Sequence, residues 1–176
     1  VDNGNIYAFQ NPGWKLVSTT GNLSVYAKKE DVPLILKFII ELAKYEKPEN
    51  EVVADEEILK EWLFEKNAAQ VIFAETDGRE VGFALFFHNF STFLGCSGIY
   101  LEDLYVMPEY RGKGYGKAIL KKLAQIAVEE GCGRLEWWCL DWNKPSIDFY
   151  LSLGAEPMSD WTAYRIAGDT LNKLAE

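Results

Sequence analysis

The sequence predicts a single α/β domain built on a mixed β-sheet that is flanked by helices. Three observations support this prediction. Helix and strand patterns follow one another along the chain in the order β-α-α-β-β-β-α-β-α-β. An Asp77-Gly78 pair separates two runs of β-forming residues, which is typical of a hairpin. The 176 residues fit one domain and contain no repeat, low-complexity tract or linker that would divide them.

The first two predicted elements are a strand and an amphipathic helix. Apolar and polar residues alternate over residues 23–27, which is the period of a strand. Asp31 is a candidate N-cap, and Pro33 falls in the first turn of the helix that follows. This helix ends near Glu46, before Pro48, and apolar residues recur along it at intervals of three and four. They are Leu34, Ile35, Phe38, Ile39, Leu42 and Ala43.

A shorter helix and the hairpin come next. Asp55 is placed to cap this helix. Residues 71–75 and 81–87 are rich in β-forming residues and become the two arms of the hairpin around Asp77-Gly78. The apolar residues of the short helix are Ile58, Leu59, Trp62 and Leu63.

The next part of the chain predicts a strand, a helix and another strand. A break at residues 95–98 contains two glycines, and a strand over residues 99–106 follows it. A helix over residues 116–130 is closed by Gly131, and residues 135–140 form a strand that looks buried. The apolar stripe of this helix is Ile119, Leu120, Leu123, Ala124 and Ala127.

The last elements are a short helix and a final strand. Asn143 caps the helix, Pro145 lies in its first turn, and Gly154 ends it. Residues 161–167 are expected to form the last strand, and a frayed helical tail follows it.

The charge balance and hydropathy exclude two classes of partner. The chain has 27 acidic and 18 basic side chains, a formal net charge of −9. A nucleic-acid interface needs the opposite sign, so no nucleic-acid partner is expected. No apolar run approaches the roughly 18 residues of a membrane span, so no membrane partner is expected either. Converging carboxylates would attract cationic small molecules, although solubility alone explains an acidic balance equally well.

The cysteine and histidine content leaves little for metal or nucleophilic chemistry. Cys96, Cys132 and Cys139 cannot all pair, and such a count fits a reducing, cytoplasmic compartment. A zinc site would need all three cysteines and His88 to converge, so we expect no metal. His88, the single histidine, lies among aromatic residues and is better interpreted as a strand residue than as the base of a hydrolase.

The sharpest chemical signal is a glycine-rich loop that leads into the helix over residues 116–130. Its alternating glycines let the backbone turn tightly, and the helix N-terminus adds its positive end. With the basic side chains, these groups suit a pyrophosphate. Lys117 stands where a Rossmann fingerprint needs glycine, and the spacing does not fit a Walker A loop. The loop consists of Tyr110, Arg111, Gly112, Lys113, Gly114, Tyr115, Gly116 and Lys117.

This strand, loop and helix resemble the central motif of the GNAT superfamily of acetyl-CoA-dependent N-acetyltransferases. The motif is Arg/Gln-x-x-Gly-x-Gly/Ala, and Arg111, Gly114 and Gly116 occupy its marked positions. The resemblance implies a GNAT-type fold and acetyl-CoA as co-substrate, without a metal. A homodimer is expected by the same analogy.

Three further stretches are similar to the diamine acetyltransferases, the group that contains the spermidine/spermine and thialysine enzymes. They are residues 41–46, 100–106 and 142–150. The likeness covers residues 23–176, which are therefore expected to form the acetyltransferase domain. Residues 1–22 are expected to be an N-terminal extension of unknown role.

The resemblance implies catalytic and cofactor-binding roles for individual residues. Glu102 corresponds to the glutamate that contacts the amine and relays its proton, and Tyr150 to the tyrosine that protonates the departing sulfur. The alternative interpretations, which need no catalytic role, are a strand carboxylate that faces solvent for Glu102 and a core tyrosine on an amphipathic helix for Tyr150. The implied cofactor-binding residues are Leu104, Tyr105, Val106, Arg111, Gly112, Lys113, Gly114, Tyr115, Gly116, Lys117, Asn143, Lys144, Pro145, Ser146 and Tyr150.

The resemblance also implies a groove for a cationic amine. Neighbouring residues on a strand point to opposite faces, so one of Trp137 and Trp138 is expected in the core. The loop after Gly154 is shorter than in the family, and Asp160 is its nearest carboxylate, with Glu156 as the alternative. The implied substrate-binding residues are Tyr45, Glu46, Glu102, Glu136, Trp137, Trp138 and Asp160.

We therefore expect an enzyme that transfers an acetyl group from acetyl-CoA to a primary amine of a small di- or polyamine. One alternative acceptor is another small amine, such as thialysine or a diamino acid. An alternative of a different class is a catalytically silent acyl-CoA-binding module. The presence of both Glu102 and Tyr150 argues against that module.

Overall fold

The computed structural model describes residues 23–46 and 52–176, and it places five strands in one sheet in the order β1-β2-β3-β4-β5. Strands β1 to β4 pair antiparallel, whereas β5 runs parallel to β4, which confirms the mixed sheet. The strands are β1 (Leu23–Tyr26), β2 (Gln70–Thr76), β3 (Arg79–Ser91), β4 (Cys96–Val106) and β5 (Leu135–Trp137). The helices are α1 (Val32–Glu46), α2 (Glu56–Lys60), α3 (Tyr115–Glu129), α4 (Lys144–Ser152) and α5 (Asp169–Ala175).

The chain forms two compact units. The first extends to Trp138 and contains the sheet with α1, α2 and α3; the second, Cys139–Glu176, contains α4 and α5. The proposed N-terminal extension, residues 1–22, lies outside the described residues. Within the described ranges, no helix is both long and apolar enough to cross a lipid bilayer.

One face of the sheet packs against α1 through aromatic rings. Phe38 of α1 stacks on Phe83 of β3 at 5.4 Å between ring centroids, with the rings only 12° from parallel. Tyr105 of β4 and Phe73 of β2 lie 5.9 and 6.1 Å from Phe38. All four residues are buried. Burying one such ring contributes about 1.5–3 kcal/mol, so Phe38 holds α1 firmly on the sheet.

The opposite face packs against α3. The apolar side of this helix is buried as its period predicts, with two exceptions. Ala124 was expected in the apolar stripe but is exposed, and Ile126 takes a buried position instead. The most deeply buried side chains shared by β4 and α3 are Ile99, Leu101, Ile119 and Leu123.

The turn between β2 and β3 confirms the hairpin. Thr76 pairs with Arg79, so the loop has two residues, and both have positive φ, 50° for Asp77 and 73° for Gly78. Two positive φ values define the type I′ turn that Asp-Gly favours, because its twist matches that of the strands.

Of the two aspartates predicted as N-caps, Asp55 caps its helix and Asp31 does not. Asp55 Oδ1 accepts a hydrogen bond from Ile58 N–H at 2.8 Å, as predicted, and α2 continues into a π-helical turn over Glu61–Glu65. Asp31 directly precedes α1, but its carboxylate accepts from the N–H of Lys28 at 2.7 Å. It therefore closes the 3₁₀ turn before α1 rather than capping α1 itself.

The predicted bounds or existence of three segments need correction. The strand expected at residues 161–167 is wrong, because that segment of the second unit forms no strand and is exposed. The strand expected at 135–140 ends at Trp137. The break expected at 95–98 is a turn over residues 92–95, and β4 already begins at Cys96. The helical tail is present as α5.

Candidate active site

A β-bulge in β4 singles out Glu102. In the pairing with β3, Asp103 lies opposite Leu85 and Leu101 lies opposite Phe86, so Glu102 has no opposing residue. The inserted residue shifts the strand by one position, so that Asp103 faces α1 while Leu101 faces α3. Bulges often occur beside active sites because they redirect a side chain. Glu102 is exposed, so its carboxylate is available to a ligand.

Three carboxylates interact electrostatically near the C-terminal end of α1; we call Glu46, Glu102 and Asp103 the acidic trio. Burial and, to a lesser extent, the negative charges of Glu102 and Glu46 together raise the pKa of Asp103 to about 7. Burial also raises the pKa of Glu46, the last residue of α1. The charges of two predicted site residues, Glu46 and Glu102, thus act on Asp103, which sequence reasoning missed.

Arg111 ties the glycine-rich loop to both elements that carry the acidic trio. Its Nε donates a 2.9 Å hydrogen bond to the carbonyl oxygen of Val106. Its guanidinium lies 4.8 Å from the ring centroid of Tyr45 and 5.6 Å from that of Tyr105. The side chain expected to help hold an anion is therefore seated against rings and backbone, where it fixes the loop relative to α1 and β4.

The loop itself has the backbone conformation that its glycines predict. Gly112 and Gly114 have φ of 72° and 90°, in the left-handed region. A Cβ at either position would meet no atom within 4 Å, so their surroundings are open. Gly114 precedes α3 and offers no side-chain cap. The first intrahelical bond runs from Ala118 N–H to Gly114 O, so the N–H groups of the preceding first turn have no acceptor within the helix and suit an anion.

The remaining loop side chains differ in burial. Tyr110 packs edge-on against Tyr115 at 5.9 Å, and Lys113 Nζ lies 5.2 Å from the centroid of Tyr110. Tyr115 is buried, whereas Lys113 and Lys117 are exposed. Gly116 lies in the first turn of α3.

β4 extends beyond its pairing with β5. β5 pairs with residues 99–101 and ends at Trp137, so residues 104–106 of β4 have no partner in β5. Leu104, Tyr105 and Val106 pair with β3 on their other side. Leu104–Val106, where the pantetheine arm was expected, therefore pairs with β3 on one side and not with β5 on the other.

An aromatic cluster lies on the same sheet face as Asp103. Tyr100 contacts Phe87 at 5.1 Å and Trp138 edge-on at 6.1 Å between centroids. Trp138 is 64% exposed, and its neighbour Trp137 is half-buried and pairs with Leu101. Neither tryptophan is in the core, so the expectation that one of them would be buried there is wrong; β5 ends at Trp137, and Trp138 lies beyond it.

The carboxylate of Glu136 already has two partners within the protein. It accepts a 2.8 Å hydrogen bond from Asn89 Nδ2 and forms a 2.8 Å ion pair with Arg134. A further cation at Glu136 would have to compete with both groups.

The second unit carries the other predicted residues. Asn143 Oδ1 accepts from Ser146 N–H at 3.4 Å and caps α4, with Pro145 in the first turn. Lys144 forms an ion pair with Asp148 at 2.7 Å. Tyr150 is half-buried, 5.4 Å from the ring of Phe149. The loop carboxylates Asp160 and Glu156 are exposed.

Comparisons with known proteins agree on one family. Residues 36–155 match the acetyltransferase (GNAT) family. The chain is 38% identical over 161 residues to the thialysine N-epsilon-acetyltransferase of Bos taurus, covering 85% of this chain and 94% of that protein. It is 43% identical over 93 residues to the L-ornithine N5-acetyltransferase NATA1 of Arabidopsis thaliana, covering 53% of this chain and 41% of that one.

A solved structure extends the agreement to the fold. An integron cassette protein from the mobile metagenome of V. cholerae is 31% identical and superposes with a TM-score of 0.74. The match covers 89% of this chain and 99% of that one.

Proposed function

The chain belongs to the GNAT acetyltransferase family, and we propose that its acceptor is a small primary amine that carries a second ammonium group. It is an acetyl-CoA-dependent N-acetyltransferase. The acidic trio supports this choice of acceptor, because it concentrates negative charge where α1 ends against β4. A site with this charge favours dications over neutral or anionic acceptors.

The features that fit acetyl-CoA are the open, left-handed glycine loop and the part of β4, Leu104–Val106, that does not pair with β5. Acetyl-CoA supplies the activated acetyl thioester. The loop, Arg111–Lys117, would hold the pyrophosphate, and the backbone of Leu104–Val106 would pair with the pantetheine arm. Asn143, Lys144, Pro145 and Ser146 would border CoA at the start of α4. Lys144 would do so while it also balances Asp148.

The acidic trio also supports a route for the amine proton. An alkylammonium has a pKa near 10 and must lose a proton before its nitrogen can form the new amide bond. Asp103, with a pKa of about 7, is a stronger base than an ordinary carboxylate and is half-ionised near neutral pH. Glu102 orients the ammonium from the bulge, and Asp103 accepts the proton directly or through water.

Tyr150 is the proposed donor to the departing sulfur. When the carbon–sulfur bond breaks, the CoA thiolate takes the phenolic proton, and solvent then restores the phenol. A phenol is protonated at neutral pH, so the donor is ready in each cycle.

Two classes of acceptor carry a second ammonium, and a carboxylate separates them. A diamine or polyamine presents two cations to the acidic trio and to the exposed face of Trp138. A basic amino acid presents a side-chain amine and an α-ammonium, together with a carboxylate. The names of the thialysine and ornithine relatives favour this second class. A basic amino acid is therefore the alternative to a diamine or polyamine as the acceptor. The homodimer and the cytoplasmic location remain predictions.

The direct test measures thiol release from acetyl-CoA with a panel of amines, and product masses by spectrometry. The panel contains propylamine, 1,3-diaminopropane, spermidine, thialysine, ornithine and a lysine-rich peptide. We expect diamines or basic amino acids to be acetylated once, with much lower efficiency for propylamine and the peptide. Acetylation of the peptide alone would contradict the proposal.

A further inference from the structure

Three side chains with metal-binding atoms meet at the C-terminal end of α3; we call them the His88–Glu130–Cys132 cluster. His88 Nε2 lies 2.6 Å from Glu130 Oε2. One ligand atom of each of the three residues lies within 4.8 Å of the others, and all three are partly buried. α3 has 15 residues and is about 22 Å long, so the cluster lies far from the glycine loop at the other end of the helix.

The backbone holds this cluster in place. Gly131 has a φ of 69°, which ends α3 in the left-handed conformation typical of helix C-termini. Cys132 N–H then bonds back to Ala127 O at 2.8 Å, and Gly133 N–H bonds to Ser97 O of β4 at 2.8 Å. Glu130 and Cys132 therefore flank a turn that is fixed on both sides, and His88 projects toward it from β3.

The donor set matches Zn²⁺. An imidazole nitrogen, a carboxylate oxygen and a thiolate sulfur are its usual protein ligands, at about 2.0–2.3 Å from the ion. Such bonds place neighbouring ligand atoms about 3.3–3.7 Å apart in a tetrahedron, so shifts of about 1 Å would complete the site. A carboxylate and a thiolate also balance the two positive charges of the ion.

We propose that His88 Nε2, one carboxylate oxygen of Glu130 and the thiolate of Cys132 bind one Zn²⁺ ion, with water as the fourth ligand. The Cys132 thiol loses its proton to the buffer as the sulfur–zinc bond forms. The ion then joins the end of α3 to β3. The expectation of no metal rested on histidine and cysteine alone, and it overlooked Glu130.

The test uses Co²⁺ as a spectroscopic substitute for zinc. The full-length, untagged protein is stripped with a chelator and titrated in the presence of a phosphine reductant, which keeps Cys132 reduced. We expect one Co²⁺ per chain, a sulfur-to-cobalt charge-transfer band, tetrahedral d–d bands, and loss of all these bands when Zn²⁺ is added. Zn²⁺ should also raise the melting temperature.

Variants assign the ligands. Cys132→Ser should abolish the charge-transfer band, and His88→Gln should weaken Co²⁺ binding at least tenfold. His88→Gln keeps a hydrogen-bonding group toward Glu130, and metal-free melting of both variants verifies folding. Cys139→Ser, a cysteine of the second unit, should bind like the unmodified protein. Absence of a charge-transfer band, or a band unchanged in Cys132→Ser, would overturn the proposal and leave His88 and Glu130 as a hydrogen-bonded pair.

Discussion

Replacing Asp103 by asparagine should make the protein more stable above neutral pH. The pKa of Asp103 rises from 3.8 in the unfolded chain to about 7 in the folded one, a difference of about three units. At 1.36 kcal/mol per unit, ionising the folded carboxyl costs about 4 kcal/mol at most. Below pH 3.8 the carboxyl is neutral in both states, so the cost is absent. It grows as pH rises toward 7 and is complete above that.

Urea denaturation at pH 5 and pH 8 measures this effect. Asp103 should lower the free energy of unfolding of the unmodified protein by about 2.5 kcal/mol more at pH 8 than at pH 5. This difference should be absent in Asp103→Asn. Asp141→Asn, at an exposed aspartate, is the matched control. Its free energy of unfolding should change between pH 5 and pH 8 as that of the unmodified protein does. Asp103→Asn should also lower kcat/KM by about 10²–10⁴-fold, because the base is lost. Lower stability of Asp103→Asn than of the unmodified protein at pH 8 would refute the reasoning.

Three further substitutions test the remaining parts of the site. Gly114→Ala should weaken acetyl-CoA binding measured by calorimetry, because an alanine at φ 90° costs about 1–2 kcal/mol in the loop conformation; equal affinity would remove the loop from the cofactor site. Tyr150→Phe should lower turnover about 10²–10⁴-fold and leave acetyl-CoA affinity nearly unchanged, whereas a change of only a few-fold would mean that another group protonates the thiolate. Glu46→Gln should raise the KM for the amine but not for acetyl-CoA, and an unchanged amine KM would place Glu46 outside the acceptor site.

The features that sequence predicts well here are local ones. The Asp77-Gly78 turn depends on two residues that tolerate positive φ, and the cap at Asp55 depends on a side chain three residues from its partner. A strand depends on a partner as well as on its own pattern. Residues 161–167 have a strand-like pattern, yet they form no ladder in the structure. The residue pattern favours an extended strand, but a strand forms only where a neighbouring strand pairs with it, and sequence does not show that.

The site shows the same limit. Glu102 and Tyr150 were predicted because they resemble a family motif, but the bulge at Glu102 arises from the register of β4 against β3. The raised pKa of Asp103 requires burial and the charge of Glu46, which is distant in sequence. His88 and Glu130 are 42 residues apart, so their contact could not be found from spacing. In each case the feature depends on which elements pack together, and the sequence pattern does not show that.

The most direct test of the proposed acceptor compares propylamine with 1,3-diaminopropane at two salt concentrations, with thiol release from acetyl-CoA as the readout. Two charge-assisted contacts of about 1–3 kcal/mol each should make the diamine about 10–10³-fold more efficient in kcat/KM, allowing for overlap between them. Added salt should narrow this advantage, because partly exposed charges are screened. Equal efficiency for the two amines at both salt concentrations would contradict an acceptor site built on Glu46, Glu102 and Asp103.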